Sequence, residues 1–330
     1  MTALAPTLQA FFTDRLIGQR QASPHTVAAY RDTLRLLLRY AADRIRKQPS
    51  QLDFEDLDAT MIATFLTHLE QDRGASVSTR NARLAALRSL FTFAALRHPE
   101  HSALIARVLA IPAKRGDRAL VTFLRRPEID ALLAAPDRSG WTGRRDYALL
   151  TLAVQTGLRV SELIGLRCVD VALGRGAHVR VHGKGRKERI TPLTSQTVAV
   201  LRTWLSERAG ASADPVFAGP AGHPLGRDAI RKLVAKHTRT AASLCPSLNS
   251  GKPVGPHTLR HTCAMSLLQA GVDLVTIALW LGHEDLRTVQ IYLHADLTLK
   301  ERALARIAPP DTRPGRYRPS DPLLRFLEGL

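Results

Sequence analysis

Apolar residues fall at three- and four-residue intervals over most of the chain, the spacing of helices that bury one face. Phe11, Phe12, Leu16 and Ile17 begin the series. Ser23-Pro24 reads as an N-cap followed by proline at the first helical position, and Val27, Tyr30, Leu34, Leu37 and Leu38 form one stripe beyond it. A further helix runs from near Thr60 through Met61, Phe65, Leu66 and Leu69. It stops before Gly74, a residue suited to the left-handed position after a helix. The next starts after Ser76 or Ser78 and carries Leu84, Leu87, Leu90 and Phe91, and a short helix is expected over 102–110. Up to about Ile111 the pattern is all helical.

Pro112, Gly116 and Pro127 then interrupt the periodicity, and residues 112–126 read as a linker. Helices are expected again over 127–135, 145–156, 161–166, 195–207, 227–240, 257–270, 274–281 and 286–294. Between the third and fourth of these, Val179 and Val181 alternate with His178, Arg180 and His182. The run ERITPL follows after Gly183-Lys184-Gly185, so this stretch predicts a half-exposed β-hairpin. Residues 245–256 are a loop by composition. A helix over 297–307 is followed by Pro309, Pro310, Pro314, Pro319 and Pro322, which disfavour regular structure. The final LLRFLEGL is either a short docking segment or a frayed end. The fold class is therefore mainly α with a small β region. It divides into an N-terminal helical domain (1–111), a basic linker (112–126), a second α-rich domain (127–296) and a C-terminal helix with a Pro-rich tail (297–330).

Composition adds a partner class. The 330 residues suffice for two domains, and 47 Lys plus Arg against 29 Asp plus Glu leave a net charge of +18. A charge of that sign suits a polyanion, through neutralised phosphates and released counterions. Taken alone it also fits a ribosomal or membrane-surface protein, or an arginine-rich proteome. Arg80, Arg83 and Arg88 share one helix with no acid between them, and Lys114 and Arg115 lie in the linker. With Arg186 at the hairpin tip, they are candidate phosphate contacts. Cys168, Cys245 and Cys263 are far apart with no Cys-x-x-Cys spacing, which fits a reducing compartment and neither a disulfide framework nor a zinc knuckle. The N-terminus has no signal-peptide pattern, and no apolar run approaches the roughly 18 residues of a membrane span. The expected location is the cytoplasm.

Candidate chemistry lies in five separated stretches of the second domain. Arg159 stands in TGLRVSEL, with Glu162 three residues on and able to orient its guanidinium. Lys184 sits between two glycines in HGKGRKER, His257 and Arg260 in HTLRH, His283 in LGH, and Tyr292 in TVQIYLH. Each is ordinary alone: an i, i+3 ion pair, a basic turn, a helix stop, a core tyrosine. Together they supply two guanidinium groups to clamp a phosphate, imidazoles and an ammonium to move protons, and a phenol to act as nucleophile. His257 and His261 at i, i+4 invite a zinc reading. Thr258 in place of Glu and the adjacent cation Arg260 argue against it, and His261 reads as a hydrogen-bonded core residue. No paired carboxylates and no metal site are expected.

The ordered set TGLRVSEL, basic hairpin, HTLRHTCA, LGH and final tyrosine resembles the tyrosine recombinase (phage integrase) family, including Xer-type recombinases, integron integrases and transposon-borne relatives. The resemblance covers about 126–296 and, through SPHTVAAYRDTLRLLLRY, extends to the N-terminal helices as a core-binding domain. It implies a site-specific DNA recombinase that cuts and rejoins double-stranded DNA through a 3′-phosphotyrosyl intermediate. Tyr292 would be the nucleophile, and Arg159 and Arg260 would hold the scissile phosphate. Lys184 would protonate the leaving 5′-oxygen, His257 would act in acid-base roles, His283 would bond the phosphate, and Glu162 would support Arg159. The resemblance further implies no cofactor, self-association to a tetramer on two duplexes, and room for a partner recombinase or accessory protein. A type IB topoisomerase-like nicking-closing enzyme and a non-catalytic DNA-binding protein of the same fold are the alternatives.

Overall fold

The computed structural model describes residues 4–116, 121–183, 188–219, 221–249, 251, 253–282 and 287–295. The chain divides into two compact units, Met1–Arg118 and Ala119–Leu330.

The first unit is helical throughout. Helix α1 (Leu4–Ala10) continues into a π-helical stretch, Phe11–Gln19. The sequence pattern anticipates a helix here, but the wider pitch changes its buried face: Phe11 and Leu16, five residues apart, are buried, while Ile17 is 56% exposed. Helix α2 (Pro24–Ile45) begins as read, with Ser23 Oγ accepting from Thr26 N at 3.2 Å. Asp58 caps α3 (Ala59–Gln71), and Gly74, with φ +61°, turns the chain after it. Ser76 caps α4 (Val77–Ala95), and α5 (Ser102–Ala110) completes the unit. Their core is Leu34, Leu37, Phe54, Phe65, Leu87, Leu90 and Phe91, all at most 3% exposed. Each such side chain contributes about 1.5–3 kcal/mol by leaving water.

The start of the expected linker belongs to this unit. Arg80 Nη1 donates to Pro112 O at 3.0 Å, Asn81 Nδ2 to Lys114 O at 2.8 Å, and Lys114 N to Asn81 Oδ1 at 3.1 Å. The later part, Val121, Phe123 and Leu124, packs into the second unit, where Leu124 N donates to Thr262 Oγ1 at 2.9 Å.

In the second unit, α6 (Arg126–Ala134) and α7 (Trp141–Thr156) lead into the short α8 (Val160–Gly165). Helix α7 starts four residues before the expected 145 and takes in Gly143. A Cβ there would lie 1.7 Å from Asp137 O, so the glycine lets a loop close onto the helix. The hairpin is β2 (His178–His182) with β3 (Glu188–Pro192), antiparallel in the register Val179↔Thr191 and Val181↔Arg189. A two-residue strand, β1 (Val171–Ala172), adds an edge that has no period to betray it in sequence. Then follow α9 (Ser195–Arg208), α10 (Arg227–Ala241), α11 (Pro256–Gln269), α12 (Leu274–Leu281) and α13 (Arg287–Ala295). Helix α7 is buried on nearly every side and packs against α6, α9 and α11. Among the described residues, no helix is long and apolar enough to cross a membrane. The expected helix over 297–307 and the Pro-rich tail lie outside the described residues.

Candidate active site

The site grows from a turn and a helix end. Gly157 (φ +64°) ends α7, and its tight packing leaves no room for a side chain: a Cβ would lie 2.7 Å from Leu281 Cδ2 and 3.0 Å from Cys263 Cβ. The chain then straightens at Arg159, whose N–H donates to Glu162 Oε2 at 2.7 Å as α8 begins. Opposite, α12 stops at Gly282 (φ +65°), leaving its last carbonyls without partners inside the helix.

Three arginines satisfy those carbonyls. Arg189 Nε donates to Trp280 O at 3.1 Å, Arg260 Nη2 to Leu281 O at 2.7 Å, and Arg159 Nη2 to Gly282 O at 2.9 Å. The negative end of the α12 dipole thus gathers three guanidinium groups. Glu162, buried beneath them, balances part of the charge. Its Oε1 accepts from Arg159 Nη1 and Arg189 Nη1, both at 2.9 Å, and its Oε2 accepts from Arg189 Nη2 at 2.8 Å. Burial pushes the Glu162 carboxyl up, but Arg189 and Arg159 outweigh it and hold the group below its ordinary value. Arg260 also donates to Gly157 O at 2.7 Å. Burial, then the neighbouring Arg159, pulls its guanidinium down to about 10.

Helix α11 sets the next layer. His257, in its first turn, is exposed, and Arg260, three residues on, is 4% exposed. Tyr292 reaches the same place from α13. Its ring packs among Cys263, Ala264, Met265, Leu268, Ile277, Leu281 and Val289 with 1% of its surface exposed. Its Oη lies 2.9 Å from His261 Nδ1, the two rings meeting edge to face. Burial raises the phenol above its ordinary value, with Arg260 opposing the shift. Burial, His257 and Arg260 all lower His261.

The structure therefore brings Arg159, Glu162, Arg260 and Tyr292 into one neighbourhood. Lys184, Arg186 and His283 lie outside the described residues. Two residues escaped the sequence reading. His261 is half-buried and hydrogen-bonded as expected, but its partner is the candidate nucleophile. Arg189 had a signal that went unused. On β3 it takes the inward phase with buried Thr191, while Ile190 is 62% exposed, the reverse of what hydropathy demands. Among the described residues, no group of three His, Cys, Asp or Glu is placed to hold a metal ion.

The basic face on α4 needs correction. Arg80 is only 6% exposed, its guanidinium committed to Pro112 O and Asn81. Arg88 is half-buried and donates to Ile111 O, and Arg83 is half-buried. The carbonyls of Pro112 and Ile111, in the segment that folds back along α4, take donors of Arg80 and Arg88 that the sequence offers to solvent. Lys114 is exposed but pairs with Glu70 at 2.7 Å, and Arg115 is exposed.

Comparison with known proteins agrees with this geometry. The sequence matches the phage integrase family over residues 122–298 and the phage integrase N-terminal SAM-like domain over residues 10–98. It is 55% identical to the integrase/recombinase y4rC of Sinorhizobium fredii, over 99% of this chain and 98% of that protein. It is 36% identical to the tyrosine recombinase XerC of Pelobacter propionicus, over 90% of this chain and 93% of that one. The structure resembles the XerH site-specific recombinase, solved with its difH substrate after cleavage, at a TM-score of 0.70 and 26% identity, covering 87% and 81% of the two chains. By sequence along both domains and by fold, the chain belongs to the phage integrase family of tyrosine recombinases.

Proposed function

We propose that this chain is a site-specific DNA recombinase that breaks and rejoins duplex DNA through a covalent link to Tyr292. The observation that carries the reading is the convergence at the end of α12: Arg159 and Arg260 on adjacent carbonyls, with the Tyr292 phenol beside Arg260. In this scheme the two guanidinium groups grip the scissile phosphate and stabilise the charge of its pentavalent transition state. The Tyr292 oxygen attacks phosphorus, the bond to the 5′-oxygen breaks, and a 3′-phosphotyrosyl link remains. Lys184 protonates the leaving oxygen, His257 acts in proton transfer, and His283 bonds the phosphate. Glu162 keeps Arg159 in place. The link conserves the energy of the phosphodiester, so a 5′-hydroxyl from another strand can reverse the attack without ATP. Arg260 and Tyr292 are both covered in the DNA-free chain, and duplex docking uncovers them together.

The relative XerH was solved bound to its DNA substrate, which supports duplex DNA as the partner. In the same proposal the chain works in the cytoplasm and assembles as a tetramer on two duplexes, with 1–111 forming a DNA-binding domain and Arg115 and Arg186 among its phosphate contacts. The test uses a nicked suicide substrate carrying the recombination site. Wild-type protein accumulates as a covalent adduct, while Tyr292→Phe binds the same DNA and forms none. Adduct formation surviving that change would refute the assignment. Exchange of flanks between two labelled duplexes separates recombination from nicking and closing alone.

A further inference from the structure

The step that opens the reaction needs a proton acceptor. A free tyrosine ionises only near pH 10, and burial raises this one further. Arg260 favours the phenolate but cannot receive the proton. Glu162, the nearby carboxylate, already accepts four hydrogen bonds from Arg159 and Arg189. The Cys263 thiol is pushed up to about 12 and donates to Gln155 O. His257 is exposed at the start of α11. His261 is different: its Nδ1 stands 2.9 Å from Tyr292 Oη, within reach for direct proton transfer.

We propose that His261 is a catalytic residue, the general base that removes the Tyr292 proton as the phenol attacks the scissile phosphate. The inference rests on Tyr292 being the nucleophile. As the Oη–P bond forms, the Oη–H proton passes to His261 Nδ1. As the P–O5′ bond breaks, its electron pair stays on the 5′-oxygen, which takes a proton from the general acid assigned to Lys184. In rejoining, His261 returns its proton to the departing tyrosine oxygen. The groups facing His261 are His257 and Arg260 on its own helix and Tyr292 from α13; burial first, then His257 and Arg260, hold the imidazole below its ordinary value and so favour its neutral form. The imidazolium formed by the transfer then sits beside the charge building on the phosphate. Arg260 acts electrostatically on both Tyr292 and His261, so a phosphate brought to Arg260 is brought near that pair as well.

His261→Asn is the informative variant, because its amide keeps a hydrogen-bonding group near Nδ1 but cannot hold the proton. Single-turnover adduct formation by the full chain on the nicked substrate is followed from about pH 5.5 to 9.5. Wild type should show an acid limb below the ordinary imidazole value of 6.5 and a plateau above it. His261→Asn should cleave on the order of 10²-fold more slowly at pH 7, with DNA binding retained. The deficit should shrink as pH rises and the phenol ionises unaided. Cleavage by His261→Asn within threefold of wild type across this range would overturn the proposal. Faster cleavage would overturn it too, marking the contact as a resting clasp. Should the variant fail to fold, the wild-type profile decides, because a rate rising tenfold per pH unit through neutrality leaves no role for a neutral imidazole base. Tyr292→Phe separates the two claims. Adduct lost there but normal in His261→Asn sinks only the base, whereas adduct surviving in Tyr292→Phe sinks the nucleophile with it.

Discussion

Replacing Glu162 by glutamine removes one negative charge and almost no volume. Both carboxylate oxygens face two donors each: Arg159 Nη1 and Arg189 Nη1 on one, Arg159 N and Arg189 Nη2 on the other. An amide nitrogen in either place sets donor against donors. It also leaves two guanidinium groups uncompensated beside Arg260, already depressed to about 10. Breaking a buried ion pair by removing one partner costs about 3–5 kcal/mol. The Arg159 side chain is 34% exposed and recovers some hydration, so the lower end, about 3 kcal/mol, applies here. For a unit the size of Ala119–Leu330, that is a melting shift of roughly 6–12 °C.

The assay is built into the chain. Trp141, Trp204 and Trp280 all fall in the second unit, so tryptophan fluorescence follows its unfolding separately from the first. The pH dependence supplies a second check. Glu162 has a folded-state value held below the ordinary 4.5, so its contribution is complete above the unfolded value. That contribution is lost as pH falls through the folded value. The gap between wild type and Glu162→Gln should therefore be full at pH 7 and close below about 4.5. A gap under about 1 kcal/mol at neutrality, or one unchanged down to pH 3, would refute the claim that this carboxylate holds the arginines together.

Two other substitutable positions give direct readings. Gly157→Ala should destabilise the second unit by about 2 kcal/mol or more in the same fluorescence melt, because its φ is +64° and the new methyl would meet Leu281 Cδ2 at 2.7 Å. A loss below about 0.5 kcal/mol would show that the neighbours give way freely. For the cysteines, a disulfide reagent at pH 8 should label Cys168 and Cys245 in the native chain and reach Cys263 only on unfolding. Cys263 is 2% exposed and its thiol is pushed up to about 12, so simultaneous labelling of all three would contradict the packing around Tyr292.

What could be read from sequence, and what could not, follows from the range of the interactions. Two helix starts were legible because Ser23 and Ser76 cap groups three residues away. Arg159 with Glu162 was legible for the same reason. Arg189 and His261 were not, because their partners lie 27 and 31 residues distant and only the fold brings them together. The first turn of α7 was not legible, because sequence cannot show that a loop closes against Gly143. The least legible feature is the one that organises the site. Trp280, Leu281 and Gly282 act through backbone carbonyls, which every residue possesses, so nothing in the side chains marks them as arginine acceptors.

That arrangement also explains how a cluster of cations stays buried. Three guanidinium groups crowded together repel one another, and desolvation adds to the cost. The end of α12 offers oriented dipoles that would otherwise lack partners, and Glu162 offers a full negative charge, so every donor described above has an acceptor. In the proposed reaction a phosphate takes over donors that the fold already holds in place. The Tyr292 phenol obeys the same logic. Its apolar surroundings fix the ring, its one polar atom meets a neutral imidazole, and burial keeps the proton on oxygen. Packing as a core residue and the proposed role as nucleophile are thus compatible: the contacts that hide the ring also hold its oxygen beside His261 and near Arg260.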